Sequence, residues 1–375
     1  MKRIYISLIE AKRLHSVELS LIRQILQCAP SDAINLALGE LQFPLPNLLR
    51  QKSLEILQKG TPRYTPNAGI PELREAIANL YPNTKPENVC VCNGVEEAIF
   101  VSLLSILNPG DKIAIPDPEY TAYSAIANIL GAKVIRLPYE SDLLSINWES
   151  WEKILAQNVK MLIFSHPSNP CGHIFTKEEA ERLITICNLN KITMVVDEVY
   201  SRLVFKNYMP EYFREAESIF LLDGLSKSHC MSGWRIGWVI SPPELSASVI
   251  KAKQYVSTCS NWLSQKLAVY ALSAEGMKAV DEVLAQLNEC RFLVVDKFQN
   301  LADKVLIPDA TCYMMLKVDG NDLIIAQELA NKGVVTVPGQ AFGEVSKGWL
   351  RINYAVPIDK LEPALDTIIN ELYLH

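Results

Sequence analysis

Short apolar runs rich in β-branched residues alternate with longer amphipathic runs through the first two thirds of the chain. The short runs have the length and composition of buried strands, and the longer runs carry apolar residues at helical spacing. Strands are predicted in ENVCVCNG, DKIAIPDP, AKVIRLPY, VKMLIFSHP, KITMVVDEVY and SIFLLDGLS, and helices in VEEAIFVSLLSIL, TAYSAIANIL and TKEEAERLITICNLN. This alternation predicts an α/β fold with a mainly parallel sheet between layers of helices.

The pattern changes beyond residue 265. A long helical stretch, SQKLAVYALSAEGMKAVDEVLAQLNECRFLVVDKFQNLA, is followed by the shorter pieces CYMMLKV, GVVTVPG and WLRINYAV. We therefore predict a large domain over residues 40–280 and a smaller α/β domain formed by residues 1–39 and 281–375. A chain of 375 residues is long enough for two such cores.

The composition limits the classes of partner and the cellular locations expected for the protein. A formal net charge of −6 argues against nucleic acid or an acidic membrane as the main partner. No apolar run approaches the roughly 18 residues of a membrane span, and the N-terminal MKRIYISLIEAKRL makes a poor signal peptide. The nine cysteines are dispersed without C-x-x-C pairs, which favours reduced residues in a cytoplasmic protein. The five histidines have no metal-ligand spacing, so no metal site is expected.

Polar and glycine residues stand where the predicted strands end. In a mainly parallel sheet the ligand lies beyond the carboxyl ends of the strands. The candidate positions are Gly94 and residues 118–120, 168–172, 197–200 and 226–227. Agreement among these strand ends favours a binding site over a set of incidental turns.

The stretch LLDGLSKSHCMSGWRIGW holds Lys227 and Arg235 among small and aromatic residues. One interpretation is a glycine-rich loop with two incidental surface cations. The other is a reactive amine, because a crowded lysine loses its charge readily and attacks a carbonyl to form a Schiff base. The carbonyl compound that uses this chemistry most widely is pyridoxal phosphate, an electron sink for carbanions.

Pyridoxal phosphate makes demands that can be compared with the sequence. Its phosphate needs a glycine turn at a helix N-terminus, which Gly94 supplies with the backbone N–H groups of Val95 and Glu96. Its pyridine nitrogen needs a carboxylate, and Asp197 follows an apolar strand; a negative charge there would keep the nitrogen protonated. The alternatives at these positions are a plain turn and a helix cap.

Three further side chains fit the oxygen and the ring of this cofactor. Tyr200, one helical turn after Asp197, and Asn169, in PSNPCG, are candidate donors to the phenolic oxygen. Tyr120, in PDPEYTAY, is a candidate cover for the ring. Taken singly, Asn169 is equally well explained as a turn residue, and Tyr120 as an ordinary half-buried tyrosine.

The order of these residues, together with eight segments, resembles the class I/II aminotransferases, which are fold type I pyridoxal phosphate enzymes related to aspartate aminotransferase. The segments are INLALGELQFPLP, YTPNAGIPELREAIA, NPGDKIAIPDPEY, SNPCG, VVDEVY, LSKSHCMSGWRIGW, VPGQAFG and WLRINYA. The resemblance covers almost the whole chain. It implies a large domain with a mainly parallel, seven-stranded sheet and a smaller α/β domain.

The resemblance also implies roles for single residues. Lys227 would hold the cofactor as an internal aldimine, and Arg235 would pair with its phosphate. Tyr64 matches a tyrosine that reaches the phosphate of the neighbouring subunit, which implies a homodimer with shared sites. The cofactor contacts considered above are likewise implied for Asp197, Asn169, Tyr200 and Tyr120.

Substrate contacts follow from the same resemblance. Arg351, in WLRINYA, matches the arginine that binds the substrate α-carboxylate, for which a guanidinium offers a bidentate fork. Gly39 matches a backbone contact to the same carboxylate, and Asn169 belongs to this set as well.

Three positions depart from the pattern of the family. Cys171 replaces a threonine after Asn-Pro, and Gly224 replaces a serine three residues before the lysine. Ser226 is therefore expected to contribute to phosphate binding. Glu96 stands where many relatives have a small or amide residue, so its backbone and not its carboxylate is expected to contact the phosphate.

The predicted function is a pyridoxal phosphate-dependent aminotransferase that moves an amino group between an L-amino acid and a 2-oxo acid. The alternatives are a lyase or cyclising enzyme with the same cofactor and, more distantly, a cofactor-binding regulator. A nicotinamide enzyme is not supported, since no G-x-G-x-x-G follows a strand. No position matches an arginine for a side-chain carboxylate, so a preference for dicarboxylic amino acids is unsupported.

Overall fold

Helices and strands alternate through the middle of the chain, as the pattern predicts. The computed structural model describes residues 11–15, 17, 21–205 and 210–373. Its α-helices are α1 (Leu21–Cys28), α2 (Asn47–Lys59), α3 (Pro71–Ala78), α4 (Val95–Ile106), α5 (Thr121–Ile129), α6 (Trp148–Leu155), α7 (Lys177–Leu189), α8 (Ser246–Ser257), α9 (Trp262–Ala271), α10 (Lys278–Phe298), α11 (Asp322–Asn331) and α12 (Ile358–Tyr373). Its strands are β1 (Ile34–Asn35), β2 (Val89–Cys92), β3 (Lys112–Asp117), β4 (Lys133–Pro138), β5 (Met161–Ser165), β6 (Thr193–Asp197), β7 (Ile219–Gly224), β8 (Gly237–Ile240), β9 (Val305–Leu306), β10 (Tyr313–Lys317), β11 (Val334–Val335), β12 (Val337–Pro338) and β13 (Trp349–Asn353).

The central sheet has seven strands in the order β2-β8-β7-β6-β5-β3-β4. The strands from β7 to β4 run parallel, and β8 is antiparallel to both of its neighbours. The mainly parallel α/β sheet predicted from the sequence is therefore confirmed. Every residue of β5 is buried, as expected for a strand covered by helices on both faces.

Strand β8 was absent from the sequence-based set of strands. It follows β7 after residues 225–236, which form turns and one short 3-10 helix. Because a parallel return would need a crossover connection, usually a helix, this segment turns back and pairs antiparallel. The glycines Gly224 and Gly237 are opposite each other at the end of this pair. The turn between them carries both Lys227 and Arg235.

The C-terminal part of the chain forms an antiparallel sheet in the order β12-β13-β10-β9. Strand β1 joins this part by pairing in parallel with β11. The long helical stretch predicted from residue 264 consists of two helices, α9 and α10. They are separated at Gly276, where a Cβ atom would lie 2.1 Å from the carbonyl oxygen of Tyr270. The domain boundaries at residues 39/40 and 280/281 stay a prediction.

In the described part of the chain, no helix combines the length and the apolar character needed to cross a membrane.

Candidate active site

A cavity of about 420 Å³ opens at the carboxyl ends of the central strands, against the C-terminal sheet. Side chains and backbone from both sheets line it. The sequence-predicted residues among them are Gly39, Val95, Glu96, Tyr120, Asn169, Asp197, Tyr200, Ser226, Lys227, Arg235 and Arg351. The structure thus brings together residues that are more than 300 positions apart in the chain.

Lys227 projects into this cavity from the turn between β7 and β8. Its side chain is half-buried, and Nζ donates to the carbonyl oxygen of Gly39. Nζ also lies 5.8 Å from the ring centroid of Tyr200. Burial lowers the pKa of Lys227, and the nearby Arg351 guanidinium acts in the same direction. The amine is therefore more easily deprotonated than a lysine in water.

Asp197 is the last residue of β6 and is almost wholly buried. Oδ2 accepts a hydrogen bond from the hydroxyl of Tyr123 at 2.9 Å, and Oδ1 accepts one from the backbone N–H of Val199 at 3.1 Å. Burial raises the pKa of Asp197 to about 7, although both hydrogen bonds oppose the shift. A cation placed beside this carboxylate would favour its charged form.

The turn before α4 forms a cradle that excludes side chains. Gly94 has φ +86° and precedes a helix whose first turn has no side-chain cap. A Cβ atom at Gly94 would lie 2.6 Å from Nη2 of Arg235. Arg235 adopts the left-handed conformation and donates to the carbonyl oxygens of Ser232 at 2.9 Å and Asn93 at 3.4 Å. Free helix N–H groups beside a guanidinium suit an anion.

Glu96 lies in the first turn of α4, beside this cradle. Its Oε2 accepts a hydrogen bond from the hydroxyl of Tyr120 at 3.0 Å. Tyr120 in turn packs edge-on against Tyr123, with ring centroids 5.5 Å apart. The Glu96 carboxylate therefore holds a tyrosine ring at the cavity wall.

Arg351 reaches the cavity from β13 and is only 2% exposed. Its guanidinium carbon lies 4.2 Å from the ring centroid of Tyr313 and 4.8 Å from that of Phe342. Nη1 donates to Oδ1 of Asn169 at 2.9 Å, and Nη2 donates to the carbonyl oxygen of Ala37. Nε has no hydrogen-bond partner among the described residues. The fork is fixed in place and retains donor capacity for a carboxylate.

Two predicted positions, Tyr64 and Gly94, are not among the residues that line the cavity. Tyr64 is 91% exposed, so within one chain it contacts none of the site. Gly94 borders the cavity through Arg235. The family departure at Gly224 has a local reason, because a Cβ atom there would lie 2.8 Å from the carbonyl oxygen of Ile236. The close pairing of β7 and β8 thus favours glycine at this position.

Sequence reasoning missed several residues that shape the cavity. Tyr313, the first residue of β10, shares a 2.6 Å hydrogen bond with the hydroxyl of Tyr200. Glu119 is buried and accepts hydrogen bonds from Ser165 Oγ at 2.6 Å and from the Tyr120 N–H at 2.8 Å. The Ser165 hydroxyl oxygen accepts from the Asn169 N–H at 2.8 Å. Glu119 lies within the candidate range 118–120, but no role was predicted for it.

Fold and cavity together define an α/β protein in which a lysine, a glycine turn at a helix N-terminus and two arginines surround one cavity at the strand ends. Residues 31–368 match the family described as aminotransferase class I and II, and the chain belongs to that family. A probable aspartate aminotransferase of Methanocaldococcus jannaschii is 31% identical, over 97% of this chain and 99% of the relative. The aspartate aminotransferase of Pyrococcus horikoshii is 32% identical, over 96% of both chains.

Solved structures agree with this assignment. An aspartate aminotransferase from Thermotoga maritima superposes with a TM-score of 0.88 at 28% identity, covering 96% of this chain and 99% of that chain. An aromatic aminotransferase from Pyrococcus horikoshii superposes with a TM-score of 0.85 at 27% identity, covering 93% and 99%. The predicted family, fold type and aminotransferase activity are confirmed, and the lyase and regulator alternatives are not favoured. Enzymes of this family depend on pyridoxal phosphate and act on amino acids and oxo acids.

Proposed function

We propose that the cavity binds pyridoxal phosphate and that the enzyme transfers an amino group between an L-amino acid and a 2-oxo acid. The proposal rests on one juxtaposition: the Lys227 amine with a lowered pKa, between the buried Asp197 carboxylate and the buried Arg351 guanidinium. The amine is the group that would hold the cofactor covalently. The two flanking charges would orient the cofactor ring and the substrate.

The residues present fit the phosphate of this cofactor. The glycine turn at Gly94 offers the N–H groups of Val95 and Glu96, and Arg235 adds a cation. Ser226, which also lines the cavity, would supply a hydroxyl donor. A side chain at Gly94 would collide with Arg235, so glycine allows the guanidinium to lie beside the helix N-terminus.

The buried carboxylate fits the pyridine nitrogen. Burial raises the pKa of Asp197 to about 7 even though Lys227 is nearby, so a protonated ring nitrogen beside it would offset the cost of burying its charge. Tyr123 and the Val199 N–H hold the carboxylate in place. When bound, the cofactor supplies an electron sink for the bond-breaking step at the substrate α-carbon. Asn169 and Tyr200 would donate to its phenolic oxygen, and Tyr120 would cover its ring.

Lys227 would also move the reacting proton. With a substrate bound, Nζ would accept the proton from the substrate α-carbon and later donate it again. A lowered pKa increases the fraction of neutral amine near pH 7, which is the form that a general base requires.

Arg351 would bind the substrate α-carboxylate. Its planar fork suits two parallel hydrogen bonds, and the surrounding rings exclude water from the pair. Asn169 holds one arm of the fork, and Gly39 would add a backbone contact. These contacts fix the α-carbon without contributing to bond breaking.

The homodimer and the cytoplasmic location are parts of the same proposal. Tyr64 is 91% exposed and Tyr255 is 83% exposed, so within one chain both rings present most of their apolar surface to solvent. A second copy of the chain would cover such rings and place Tyr64 at the partner's phosphate cradle. The dispersed cysteines support the location.

The test is a donor screen on purified protein supplied with pyridoxal phosphate. The names of the relatives make L-aspartate the first donor and L-tyrosine the second, with 2-oxoglutarate as acceptor. We expect steady production of glutamate with at least one donor. Without an acceptor, an aminotransferase stops after one oxo acid per active site, whereas a lyase continues. Continued turnover without acceptor would contradict the proposal.

A further inference from the structure

Tyr313 contacts both the cofactor side and the substrate side of the proposed site, and no family match assigns it a role. We infer that Tyr313 is a positioning residue with two separable actions: its hydroxyl orients the Tyr200 hydroxyl, and its ring holds the Arg351 guanidinium. This inference rests on the proposed function, because it assigns Tyr200 to the cofactor and Arg351 to the substrate.

The register of the C-terminal sheet places the two groups on one face. Met315 is directly opposite Arg351, and Tyr313 is opposite Asn353. Residues opposite each other in an antiparallel pair share a face, as do residues two apart on one strand. Tyr313 and Arg351 are therefore diagonal neighbours, a separation that an aromatic ring and a long side chain can bridge. The observed 4.2 Å from guanidinium carbon to ring centroid agrees.

The hydroxyl of Tyr313 lies in a confined place. It is 2.6 Å from the Tyr200 hydroxyl, and both residues are buried. A Cβ atom at Gly39 would lie 2.2 Å from it, so the chain approaches this oxygen as closely as glycine allows. The confinement fixes the hydroxyl at one position against Tyr200.

The two phenol hydroxyls carry two hydrogens, and the hydrogen bond between them uses one. When Tyr313 donates to Tyr200, the hydrogen of Tyr200 is free for an acceptor in the cavity. A phenol that accepts a hydrogen bond while it donates one has its two bonds reinforce each other. Tyr313 would thus make Tyr200 a stronger and better-oriented donor. The charged and titratable groups that face this pair are Lys227, Cys312 and Arg351.

Phe342 provides an internal comparison. The centroid of its ring also lies near the Arg351 guanidinium, 4.8 Å from the guanidinium carbon, and the ring carries no hydroxyl. Both rings pack near the Arg351 guanidinium, but of the two only Tyr313 has a hydroxyl that hydrogen-bonds to Tyr200. Substitutions at the two positions therefore separate the hydroxyl action from the ring action.

The experiment compares Tyr313→Phe, Tyr313→Leu and Phe342→Leu with the wild type, all loaded with pyridoxal phosphate. Two quantities are measured: the pH midpoint of the bound cofactor's visible absorbance without substrate, and KM and kcat for the best donor of the screen above. Thermal unfolding of each variant shows whether it is folded at the assay temperature.

Tyr313→Phe should raise the pH midpoint by about half to one unit, the size of one hydrogen bond, because a weaker Tyr200 donor stabilises the anionic oxygen less. The KM of this variant should stay within about twofold of the wild-type value, since the ring that packs on Arg351 remains. Phe342→Leu should raise KM about 2- to 30-fold, the range of a cation–π contact, without moving the midpoint. Tyr313→Leu should show both changes.

A double-mutant cycle completes the test. In a Tyr200→Phe background the Tyr313→Phe substitution should leave the midpoint where it is, since its effect passes through Tyr200. An unchanged midpoint for Tyr313→Phe in the wild-type background, with normal cofactor loading, would overturn the inference alone. A wild-type protein that binds no pyridoxal phosphate would overturn the proposed function and this inference together.

Discussion

The two walls of the cavity hold their charged groups in different ways. The strand-end wall (Asp197, Lys227 and Arg235) is built on the carboxyl ends of the central strands and the turn after β7. The small-sheet wall (Tyr313, Phe342 and Arg351) is built on the C-terminal antiparallel sheet and the loop beside it. On the first wall, burial moves the pKa of Asp197 upward and that of Lys227 downward. On the second, Arg351 is enclosed by two rings and two acceptors.

This difference matches two kinds of work. A lysine with a lowered pKa is deprotonated more easily, which is what proton transfer at carbon requires, and a buried carboxylate favours a cationic partner. A guanidinium keeps its charge at any pH that the protein survives, so it suits constant recognition of a carboxylate. Substitutions of Lys227 or Arg235 on the strand-end wall should therefore lower kcat or cofactor binding. On the small-sheet wall, substitutions that remove the Arg351 guanidinium or a ring that packs on it should raise KM.

The largest effect is expected for Lys227→Ala. Removing the amine removes both the covalent attachment and the general base, so the rate of amino transfer should fall by roughly 10³-fold or more. The variant should fold, because within the described part of the chain the hydrogen bond of the Lys227 side chain is to the Gly39 carbonyl oxygen alone. Initial rates and thermal unfolding measure both expectations.

Lys253 supplies a control inside the same chain. It is fully buried, but it pairs with Glu97 at 3.0 Å and does not line the cavity. Borohydride reduction of the loaded wild type, followed by peptide mapping, should label Lys227 and leave Lys253 unlabelled. A label on Lys253 or on another lysine would disprove the assignment.

Arg351→Ala tests the small-sheet wall. Truncating one partner of a buried, hydrogen-bonded charge pair costs roughly 2–5 kcal/mol, which is about a 30- to 5,000-fold loss in kcat/KM. The loss should appear in KM, and the cofactor should stay bound, because Arg235 and not Arg351 belongs to the phosphate cradle. Arg351→Lys should recover part of the loss, since an ammonium lacks the planar fork.

Single-turnover rates against amino-acid concentration measure this effect directly. Unchanged saturation in Arg351→Ala would remove the residue from the substrate site. Arg235→Ala is the matched comparison from the other wall. It should weaken cofactor binding first and change the KM for the amino donor little once the cofactor is saturating.

The positions of the strand-end wall could be predicted from the sequence because the pattern around them is local. Asp197 ends an apolar strand, and Gly94 directly precedes a helix, so both could be placed before any tertiary structure was known. Tyr313 was missed for the opposite reason. CYMMLKV was recognisable as a strand-like piece, but which face meets the cavity depends on how the two sheets pack. Tyr123 was missed because a tyrosine within a helix gives no sign of bonding to Asp197.

The pH dependence of the free energy of unfolding provides a further test of the strand-end wall, through Asp197. Asp197 has a pKa of about 7 in the folded protein without cofactor, against an ordinary value of 3.8. A carboxyl group whose folded pKa is raised favours the folded state fully below about pH 4, and this contribution is lost as the pH rises through about 7. The cofactor-free wild type should therefore lose stability across this window through Asp197.

Asp197→Asn removes that pH dependence while keeping the shape and an acceptor for Tyr123. Between pH 5 and 8, the free energy of unfolding should fall more for the wild type than for the variant. The difference between the two decreases should be about 1–4 kcal/mol. Burial also raises the pKa values of Glu119 and Glu198, and both residues are present in both proteins, so the burial effects cancel in the comparison. The Asp197 charge also raises the pKa of Glu119, so the measured difference includes this coupling. Denaturant titrations at four pH values provide the measurement. Parallel pH profiles would show that Asp197 is already charged in the folded protein.

The smallest effect is expected for Glu96→Gln, which sharpens the picture of the strand-end wall. The Glu96 carboxylate stands in the first turn of α4, beside the proposed phosphate cradle, and accepts from Tyr120. An amide oxygen can keep that hydrogen bond, while the repulsion between carboxylate and phosphate disappears. Exposed charge pairs contribute about 0.2–1 kcal/mol, so the dissociation constant of pyridoxal phosphate should fall by about 1.5- to 5-fold.

The matched control for this substitution is Glu149→Gln. Glu149 is also an exposed acid in the first turn of a helix, α6, but it lies away from the cavity. Both substitutions remove a favourable interaction with a helix N-terminus, so both should lower stability by similar small amounts. Only Glu96→Gln should tighten cofactor binding, as measured by absorbance titration of the cofactor-free protein. If it instead weakens binding, the carboxylate contributes to the site through Tyr120 more than it repels the phosphate.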